Sequence, residues 1–390
     1  MSDSCPVCEA EFLENFFSIK QVPVIINILS NTREEALGRP RGDIDLGFCG
    51  NCGHIYNTSF DLSLLDYSGE YDNALHFSST FRDFASQLVD TIVNVRHWKG
   101  SNLLEVGCGK ASFLQALCKR GGNSGIGYDP SIEDQDWTPV GPAGGKIKLV
   151  RGYFGKEDVS VPGDKIICQH VLEHIEAPAD FLQDIIASRK NSLAHSAYFE
   201  VPNVLYSLRD FGVWDIIYEH CSYFSPTSLA FLFNRFGYAV DSCEEVYGNQ
   251  FLSLHAEFGA EKRHLEASDL GELTKLVSDF SQTFKEKSRD WRTSLEPALS
   301  GEKKVVVWGA GSKGITFLNM MTDGKGIDYI IDQNPAKIGK FVAGSGQEIQ
   351  TPEFLVEYRP DMVIVMNPLY KDEIAHKLAG MGLTPEVVVA

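Results

Sequence analysis

Two short Cys-x-x-Cys knuckles stand near the start of the chain, at Cys5/Cys8 and Cys49/Cys52. Two such knuckles supply four thiolates at tetrahedral reach, which is the arrangement that a structural zinc ion prefers. A redox-active motif would need one pair at a helix N-terminus, whereas this segment carries two pairs. The spacing therefore predicts a structural zinc site, since a closed shell of four cysteines leaves no open position for chemistry.

A glycine loop, Gly107-Cys-Gly109, follows an apolar strand-like run and precedes a helical pattern. Glycines at such a turn let a ligand approach the backbone closely. Asp129 ends the next strand about 20 residues later, where a carboxylate can accept hydrogen bonds from ribose hydroxyls. The third glycine of a dinucleotide fingerprint is absent, because Lys110-Ala-Ser112 follows Gly109. The loop is compatible with a ligand that carries a ribose, but a glycine loop alone does not decide this, since any α/β turn can carry one.

The segment 214–226 is dense in polar and aromatic residues and contains Glu219 and His220 side by side, with Tyr218 and Tyr223 around them. A carboxylate next to an imidazole can orient the ring and tune its pKa, as a general base requires. A structural interpretation is also open. The sequence Ser225-Pro226 is typical of a capped helix start, and His220 would then be a hydrogen-bonding residue of the fold.

A second glycine loop, 309–314, meets the Gly-x-Gly-x-x-Gly pattern between a strand and a helix, and Asp332 ends the next strand. Taken alone, the pattern predicts a nicotinamide-dinucleotide site. The unit has only about 90 residues, however, which is roughly half of a two-lobed dinucleotide fold. Backbone amides at a helix N-terminus also suit a diphosphate, and Lys313 adds a positive charge. A nucleotide-linked ligand, a dinucleotide and a scaffold role all remain open.

Three motifs resemble, in their order, those of class I S-adenosylmethionine-dependent methyltransferases. They are Glu105-Val-Gly-Cys-Gly109, Gly127-Tyr-Asp-Pro130 and His170-Val-Leu-Glu-His-Ile175. The resemblance implies that the first loop backs the methionine part of S-adenosylmethionine and that Asp129 binds its ribose. It also places at the cofactor the residues Glu105, Gly107, Gly109, Tyr153, Phe154, Gln169 and His170, with Tyr153 and Phe154 flanking the adenine and the last two near the sulfonium.

The whole chain resembles the sugar C-methyltransferases, which methylate nucleotide-linked 4-keto-deoxysugars. The resemblance rests on the knuckles, the methyltransferase motifs, the run Glu219-His-Cys-Ser-Tyr223 and the C-terminal glycine loop, in that order. In that family the Glu-His pair and the following tyrosine lie at the reacting carbon. This chain departs from the pattern, because Ile217 and Tyr218 occupy the places of the family's first tyrosine and first histidine.

The resemblance also implies a mechanism. His220 would remove the proton from the carbon next to the keto group, Glu219 would orient the ring, and a tyrosine or another polar group would steady the enolate oxygen. The candidate tyrosines are Tyr71, Tyr218 and Tyr223. The nucleotide-linked sugar would be held by the second loop, through Gly309, Gly311, Ser312 and Lys313.

Strand-like runs alternate with helical patterns between residues 102 and 201, which predicts an α/β fold with a parallel, doubly wound sheet. The first segment looks loop-rich, and the strand-turn-helix pattern restarts at Lys303. We therefore expect four parts: a zinc-binding module at 1–68, a methyltransferase domain at 69–262, a helical connector at 263–300 and a smaller Rossmann-like domain at 301–390.

The chain has 390 residues and a net charge of −18. An acidic balance argues against a nucleic-acid binder, which needs a basic face, and against a polybasic membrane anchor. No apolar run approaches the ~18 residues that span a bilayer, and the N-terminus lacks the regions of a signal peptide. We expect a cytoplasmic protein with a small-molecule substrate.

Three other functions stay open. An O- or N-methyltransferase acting on another small or glycan-linked substrate is one, because His220 could also deprotonate a hydroxyl. A nicotinamide-dependent oxidoreductase that uses the C-terminal glycine loop is the second. A zinc-stabilised binding protein without catalysis is the third.

Overall fold

The described part of the chain contains three β-sheets, and each belongs mainly to one region of the sequence. The computed structural model describes residues 4–11, 15–65, 77–155, 164–188, 195–259, 270–322 and 326–390. No helix within these ranges is long and apolar enough to cross a membrane.

The N-terminal region contains an antiparallel sheet, which corrects the expectation of a loop-rich segment. In the second strand, buried Ile44, Leu46 and Phe48 alternate with Asp43 and Asp45, so that one face packs against the core. This period-two alternation is the signal that the prediction overlooked. The elements are β1 (Asn15–Pro23), α1 (Arg33–Leu37), β2 (Arg41–Phe48) and β3 (Ile55–Asn57).

The central region is an α/β domain around an eight-stranded sheet. Its elements are α2 (Ser79–Asp90), β4 (Asn102–Val106), α3 (Ser112–Gly121), β5 (Ser124–Asp129), β6 (Gln135–Val140), β7 (Gly145–Arg151), β8 (Lys165–Gln169), α4 (Pro178–Ala187), β9 (Ser196–Pro202), α5 (Val204–Leu208), β10 (Ser222–Tyr223), α6 (Pro226–Arg235), β11 (Tyr238–Val246) and β12 (Phe251–Phe258). The sheet order is β11-β12-β9-β8-β4-β5-β7-β6.

This sheet confirms the predicted doubly wound fold. Strands β7, β5, β4, β8 and β9 are mutually parallel, whereas β12 and β6 join the two sides antiparallel. Strand order reverses between β4 and β8. Open α/β sheets bind ligands at the carboxyl ends of strands beside such a reversal. The first glycine loop and His170 follow those two strand ends.

The C-terminal region confirms the predicted second, smaller Rossmann-like unit. A helix of 30 residues, α7, precedes a sheet whose five strands are all parallel, in the order β15-β14-β13-β16-β17. The elements are α7 (Leu270–Leu299), β13 (Val305–Trp308), α8 (Ser312–Met321), β14 (Tyr329–Ile331), β15 (Glu348–Gln350), α9 (Leu355–Tyr358), β16 (Met362–Val365), α10 (Lys371–Gly380) and β17 (Glu386–Val389).

The three regions pack on one another through both apolar and polar contacts. One apolar core includes Ile44 of β2, Trp214 of the central domain and Phe317 of α8. The side-chain amides of Gln250 and Asn367 exchange two hydrogen bonds of 3.0 Å between the central and C-terminal regions. The carboxyl ends of the C-terminal strands thereby face the central domain.

Candidate functional site

The four knuckle cysteines come together in one cluster. The sulfurs of Cys5 and Cys52 lie 3.7 Å apart, those of Cys8 and Cys49 lie 3.4 Å apart, and all four fall within 4.8 Å of one another. A tetrahedral ion with zinc–sulfur distances of about 2.3 Å would separate its sulfurs by about 3.8 Å. The donor set and its spacing therefore fit a tetrahedral metal ion.

The cysteine cluster is tied directly to the candidate catalytic segment. Strand β10, which immediately follows His220 and Cys221, pairs with β3 and becomes the fourth strand of the N-terminal sheet. The amide of Asn57 donates to the carbonyl of Cys221 at 2.9 Å. The ring of His54, two residues after Cys52, packs 4.8 Å from that of Phe224. The knuckles and the segment around His220 are thus one structural unit.

The first glycine loop has the conformation that a close ligand requires. Gly107 and Gly109 have φ values of +72° and +50°, which favour glycine. A Cβ on Gly107 would lie 2.2 Å from Cγ2 of Val171, whereas one on Gly109 would meet no atom within 4 Å. The loop therefore packs tightly on one side and is open on the other.

The carboxylate of Asp129 is fixed beside this loop by hydrogen bonds. Its Oδ2 accepts from the amide of Gly109 at 2.8 Å, and its Oδ1 accepts from the amide and hydroxyl of Ser131 at 2.9 and 2.6 Å. Each carboxylate oxygen can accept about two hydrogen bonds, so Oδ2 keeps a lone pair for a hydroxyl donor.

Glu105 lies under the loop and carries an unusual protonation state. Its side chain is buried, and its Oε2 has no hydrogen-bond partner in the described part of the chain. Burial raises the pKa of Glu105 to about 8, with a smaller contribution from the charge of Asp129. A buried carboxyl with one unpaired oxygen beside this glycine loop suits a cationic ligand, because a cation favours its ionised form.

The remaining predicted cofactor residues differ in their surroundings. Tyr153 is 79% exposed, whereas the ring of Phe154 packs edge-on against Tyr128 at 5.2 Å. The amide of Gln169 donates to Oε1 of Glu200 at 3.3 Å. Phe154 and Gln169 therefore have fixed positions near the loop, and Tyr153 is available to a ligand from solvent.

His170 is held by two glutamates that the sequence did not single out. It has a φ of +54°, and its Nε2 lies 3.1 Å from Glu200 while its Nδ1 lies 3.6 Å from Glu173. Burial opposes protonation of the ring, but these two carboxylates outweigh it and raise the pKa of His170 to about 10. Both glutamates could have been identified as candidates from the sequence, since Glu173 lies in the motif after β8 and Glu200 lies near the end of β9.

His220 lies beside His174, and its ring also lies 6.2 Å from that of Tyr223. The two imidazole rings meet edge-on at 4.9 Å, and His174 Nδ1 is bonded to the carbonyl of Glu219 at 2.9 Å. Burial lowers the pKa of His220 to about 3, and His174 adds to that effect. Its buried Nδ1 has no hydrogen-bond partner within the described ranges.

The expected role of Glu219 as the group that orients His220 is not what the geometry provides. Neither carboxylate oxygen makes a hydrogen bond of normal geometry within the described residues, although the amide of Ile26 lies nearby. Burial raises the pKa of Glu219 to about 8. The carboxylate that faces His220 and His174 is that of Glu173, because one ligand atom from each of these three residues lies within 4.8 Å of the others.

The two described tyrosines predicted to be catalytic hold the backbone instead. The hydroxyl of Tyr223 donates to the carbonyl of Ile217 at 2.8 Å and accepts from its amide at 3.2 Å. The hydroxyl of Tyr218 accepts from the amide of Asp61 at 2.9 Å, and its ring stacks on Phe60. Both are corrections to the prediction, because their hydroxyls are already occupied. Tyr71 lies outside the described residues.

The second glycine loop lies against the central domain near His220. Lys313 pairs with Asp215 at 2.9 Å, and its ammonium group lies 5.7 Å from the ring of Tyr206. Helix α8 begins after Gly311 without a side-chain cap, so amides of its first turn remain open to a ligand. Lys313 is therefore less available to a phosphate than the sequence suggested, and Gly309, Gly311 and Ser312 offer backbone groups.

Two family models match adjoining parts of the chain. Residues 79–242 match a methyltransferase domain, and residues 261–384 match a C-methyltransferase C-terminal domain. The second match covers the second glycine loop, which the sequence alone also allowed as a dinucleotide site. The methyltransferase assignment therefore replaces the oxidoreductase alternative.

A curated protein of similar sequence agrees with these models. The chain is 23% identical to the C-methyltransferase NovU of Streptomyces niveus, over 95% of this chain and 91% of that protein. A methyltransferase structure from Aquifex aeolicus shares 14% identity over 45% of this chain and 97% of its own, with a TM-score of 0.31. At such a TM-score, likeness in shape carries no weight in assigning the family.

A further solved structure is the 1,6-didemethyltoxoflavin-N1-methyltransferase of Burkholderia thailandensis, which holds its substrate and S-adenosylhomocysteine. It shares 14% identity over 50% of this chain and 98% of its own, with a TM-score of 0.33. The family models, the full-length relative and the strand order together identify the activity and its cofactor, S-adenosylmethionine. The chain is an S-adenosylmethionine-dependent methyltransferase, and its two matched parts are similar to those of the C-methyltransferase family.

Proposed function

We propose that this enzyme methylates a carbon atom of a nucleotide-linked 4-keto-deoxysugar, through an enolate that His220 generates. One observation carries the proposal. His220 stands on a backbone segment clamped by Tyr223, next to His174, where the central domain meets the second glycine loop. A base fixed between a cofactor domain and an anion-binding loop suits an acceptor with a diphosphate at one end and an acidic carbon at the other.

The first glycine loop, Glu105 and Asp129 would hold the cofactor. S-adenosylmethionine supplies an electrophilic methyl group when it is bound. Asp129 would accept hydrogen bonds from the ribose hydroxyls through the lone pair that Gly109 leaves open. Glu105 would stand near the positive charge, and Gln169 and His170 would close the far side of the crevice.

His220 would act on the acceptor as a general base. The keto group acidifies the neighbouring C–H bond, and the free imidazole nitrogen takes that proton. His174 would orient the ring, since its own Nδ1 is fixed by the carbonyl of Glu219. Glu173 would stabilise the imidazolium that forms, because its carboxylate faces both rings.

The second glycine loop would bind the nucleotide diphosphate. The amides at the uncapped start of α8 present partial positive charge to an anion. The pair of Lys313 and Asp215 links this loop to the segment that precedes His220. Binding of the diphosphate and placement of the reacting carbon would therefore be coupled through this ion pair and through the packing of Phe317 on Trp214.

We further propose that the four-cysteine cluster holds one structural zinc ion. Four thiolates complete the tetrahedral shell, so the ion would stabilise the fold and take no part in the reaction. Its role would be to fix β3, and through β3 the short strand that follows His220. Such a thiolate site persists in a reducing compartment, and we place the enzyme in the cytoplasm.

The test uses a nucleotide-linked 4-keto-deoxysugar deuterated at C3. Wild-type enzyme with S-adenosylmethionine should add one methyl group and lose the deuterium, as read by mass spectrometry. His220→Asn should lose at least about a hundredfold in turnover with near-normal affinity for the cofactor. Methylation with full retention of the label would contradict C-methylation and favour a hydroxyl or an amine as the acceptor.

A further inference from the structure

Glu173, His174 and His220 form a second cluster of potential metal ligands, separate from the four cysteines. One ligand atom from each residue lies within 4.8 Å of the others. A zinc ion with ligand distances of about 2.0–2.1 Å would need these atoms roughly 3.3 Å apart. Rotation about side-chain torsions can supply that contraction, so the three residues are arranged close to a coordinating geometry.

His174 is already oriented in the way that metal ligands usually are. Its Nδ1 is bonded to the carbonyl of Glu219 at 2.9 Å, which makes Nδ1 the protonated nitrogen and leaves Nε2 with a free lone pair. Metal-binding histidines almost always donate their second nitrogen to a backbone carbonyl or a carboxylate in this manner. The carbonyl of Glu219 thus serves as an outer partner of the cluster.

The other two residues present atoms that lack partners. Glu173 is 1% exposed, and its Oε2 makes no hydrogen bond within the described ranges. The buried Nδ1 of His220 is likewise without a partner there. Buried polar groups normally find a partner, and unsatisfied ones point to a missing ion or solvent molecule. Two such atoms in one cluster point to the same missing group.

The charges around the cluster suit a cation. Glu173 contributes a carboxylate. Burial raises its pKa, but the neighbouring histidines outweigh burial and lower the pKa below its ordinary value. The charge of Lys313 is matched by Asp215, and His170 lies between Glu200 and Glu173. His170 shares one positive charge between Glu173 and Glu200, so a divalent ion would neutralise the negative charge that remains on these buried carboxylates.

We propose that Glu173, His174 and His220 bind a divalent transition-metal ion, with Zn²⁺ as the preferred occupant, and that occupancy inhibits the enzyme. Two histidines and one glutamate are a ligand set that zinc uses in proteins, with positions left for solvent. A metal ion on His220 would occupy the lone pair that accepts the substrate proton. Metal binding rests on geometry alone, whereas the inhibition also rests on the proposed function.

Cobalt(II) tests the binding, because its spectrum distinguishes the two sites. Purified enzyme with its cysteine cluster loaded with zinc is titrated with Co²⁺. We expect one further equivalent, with visible ligand-field absorption and no sulfur-to-metal charge-transfer band. Glu173→Gln should weaken this binding at least about tenfold. The exposed Glu176 supplies a matched control, and Glu176→Gln should bind Co²⁺ like the wild type.

Two results would overturn the binding proposal: a wild-type protein that takes up no further Co²⁺, or a Glu173→Gln variant that binds it as tightly as the wild type. His174→Asn provides a second ligand variant if Glu173→Gln does not fold. Turnover is then measured with added Zn²⁺. Full activity at saturating second-site metal would refute the inhibition, whereas an acceptor that no form methylates would count against the proposed function and leave the Co²⁺ result intact.

Discussion

The two glycine loops of this enzyme share one backbone design and differ in the charges around it. Each loop follows a parallel strand, and in each an aspartate after the neighbouring strand accepts a hydrogen bond from a loop amide. The bond from Gly109 to Asp129 is 2.8 Å long, and the bond from Ala310 to Asp332 is 2.9 Å long. Sequence patterns detect this shared part, so both loops look like ribose sites.

A buried lysine lies at the aspartate of the second loop, and the aspartate of the first loop has different partners. Nζ of Lys337 donates to the carbonyl of Ala310 at 2.8 Å and lies 3.9 Å from Asp332, whereas Asp129 is matched by the Ser131 hydroxyl and by amides. Asp332 thus balances a buried cation of its own domain. A glycine fingerprint with its aspartate indicates ribose binding only where that carboxylate is not already paired with a buried cation of the protein.

The position two residues before the first glycine carries the second difference. Glu105 stands there in the first loop, and Val307 stands there in the second. Both side chains are buried, so at this position the first loop carries an ionisable group and the second carries an apolar one. A cationic cofactor has an electrostatic reason to choose the first loop over the second.

The largest expected effect comes from removing the aspartate of the second loop. Asp332→Ala should lower the free energy of unfolding by about 3 kcal/mol, because Lys337 stays buried without its partner. Affinity for S-adenosylmethionine should not change. Denaturant unfolding and titration calorimetry measure the two quantities. Adding Lys337→Met should restore part of the stability, and a double variant as unstable as Asp332→Ala would contradict this account.

The second largest effect should come from glycine substitutions, which should lower cofactor affinity in the first loop and not in the second. In Gly107→Ala the new methyl group meets Val171 at a positive φ, so cofactor affinity should fall about thirtyfold, or roughly 2 kcal/mol. Gly311→Ala places its methyl group in open space and should leave both cofactor affinity and stability unchanged. Equal cofactor losses in the two variants would mean that both loops touch the cofactor.

Glu105 should make stability depend on pH. Its pKa is raised from 4.5 to about 8 in the folded protein, so the folded state keeps a proton that the unfolded chain has lost. The stability of the wild type should therefore fall as pH rises through this window. Glu105→Gln should be more stable than wild type by about 2 kcal/mol at pH 8.5 and nearly equal to it at pH 4.5. Exposed Glu133→Gln is the control, and a parallel pH profile for both variants would argue against a buried neutral Glu105.

The smallest effect should come from the first aspartate. Asp129→Ala should weaken S-adenosylmethionine binding about tenfold, because a charge-assisted hydrogen bond is worth about 1.5–3 kcal/mol. Folding should be nearly unaffected, in contrast to Asp332→Ala. Calorimetric titration measures the affinity, and unchanged binding would refute a ribose contact at Asp129.

The sequence was most informative where a function depends on neighbours along the chain. Glycines beside strand ends, paired cysteines and an aspartate at the end of the next strand each form a local pattern. The doubly wound sheet was predicted from the alternation of strand-like runs with helical patterns. The direction in which a side chain points, and the group that it contacts, were harder to predict from the sequence. Tyr218 and Tyr223 flank His220 in sequence, yet their hydroxyls bond to Asp61 and Ile217, because packing against the N-terminal sheet decides where each ring points.

Contacts between segments far apart in the chain could not be predicted from the sequence, for a physical reason. Glu200 lies on one strand and His170 after another, so their contact exists only once the sheet has formed. Strand β10 has two residues, which is too short to show any periodicity. The alternation in β2 was long enough to be recognised, and its omission from the prediction was an error of interpretation.

The pairing of β10 with β3 also sets the order in which an active enzyme can assemble. The two strands are separated by almost the whole central domain along the chain, so their pairing closes a long loop and carries a large entropic cost. We expect the central sheet to form early and the segment around His220 to become ordered late, after the N-terminal sheet has closed. Newly synthesised enzyme would then have an ordered central sheet before the segment that carries His220, the proposed base, becomes ordered.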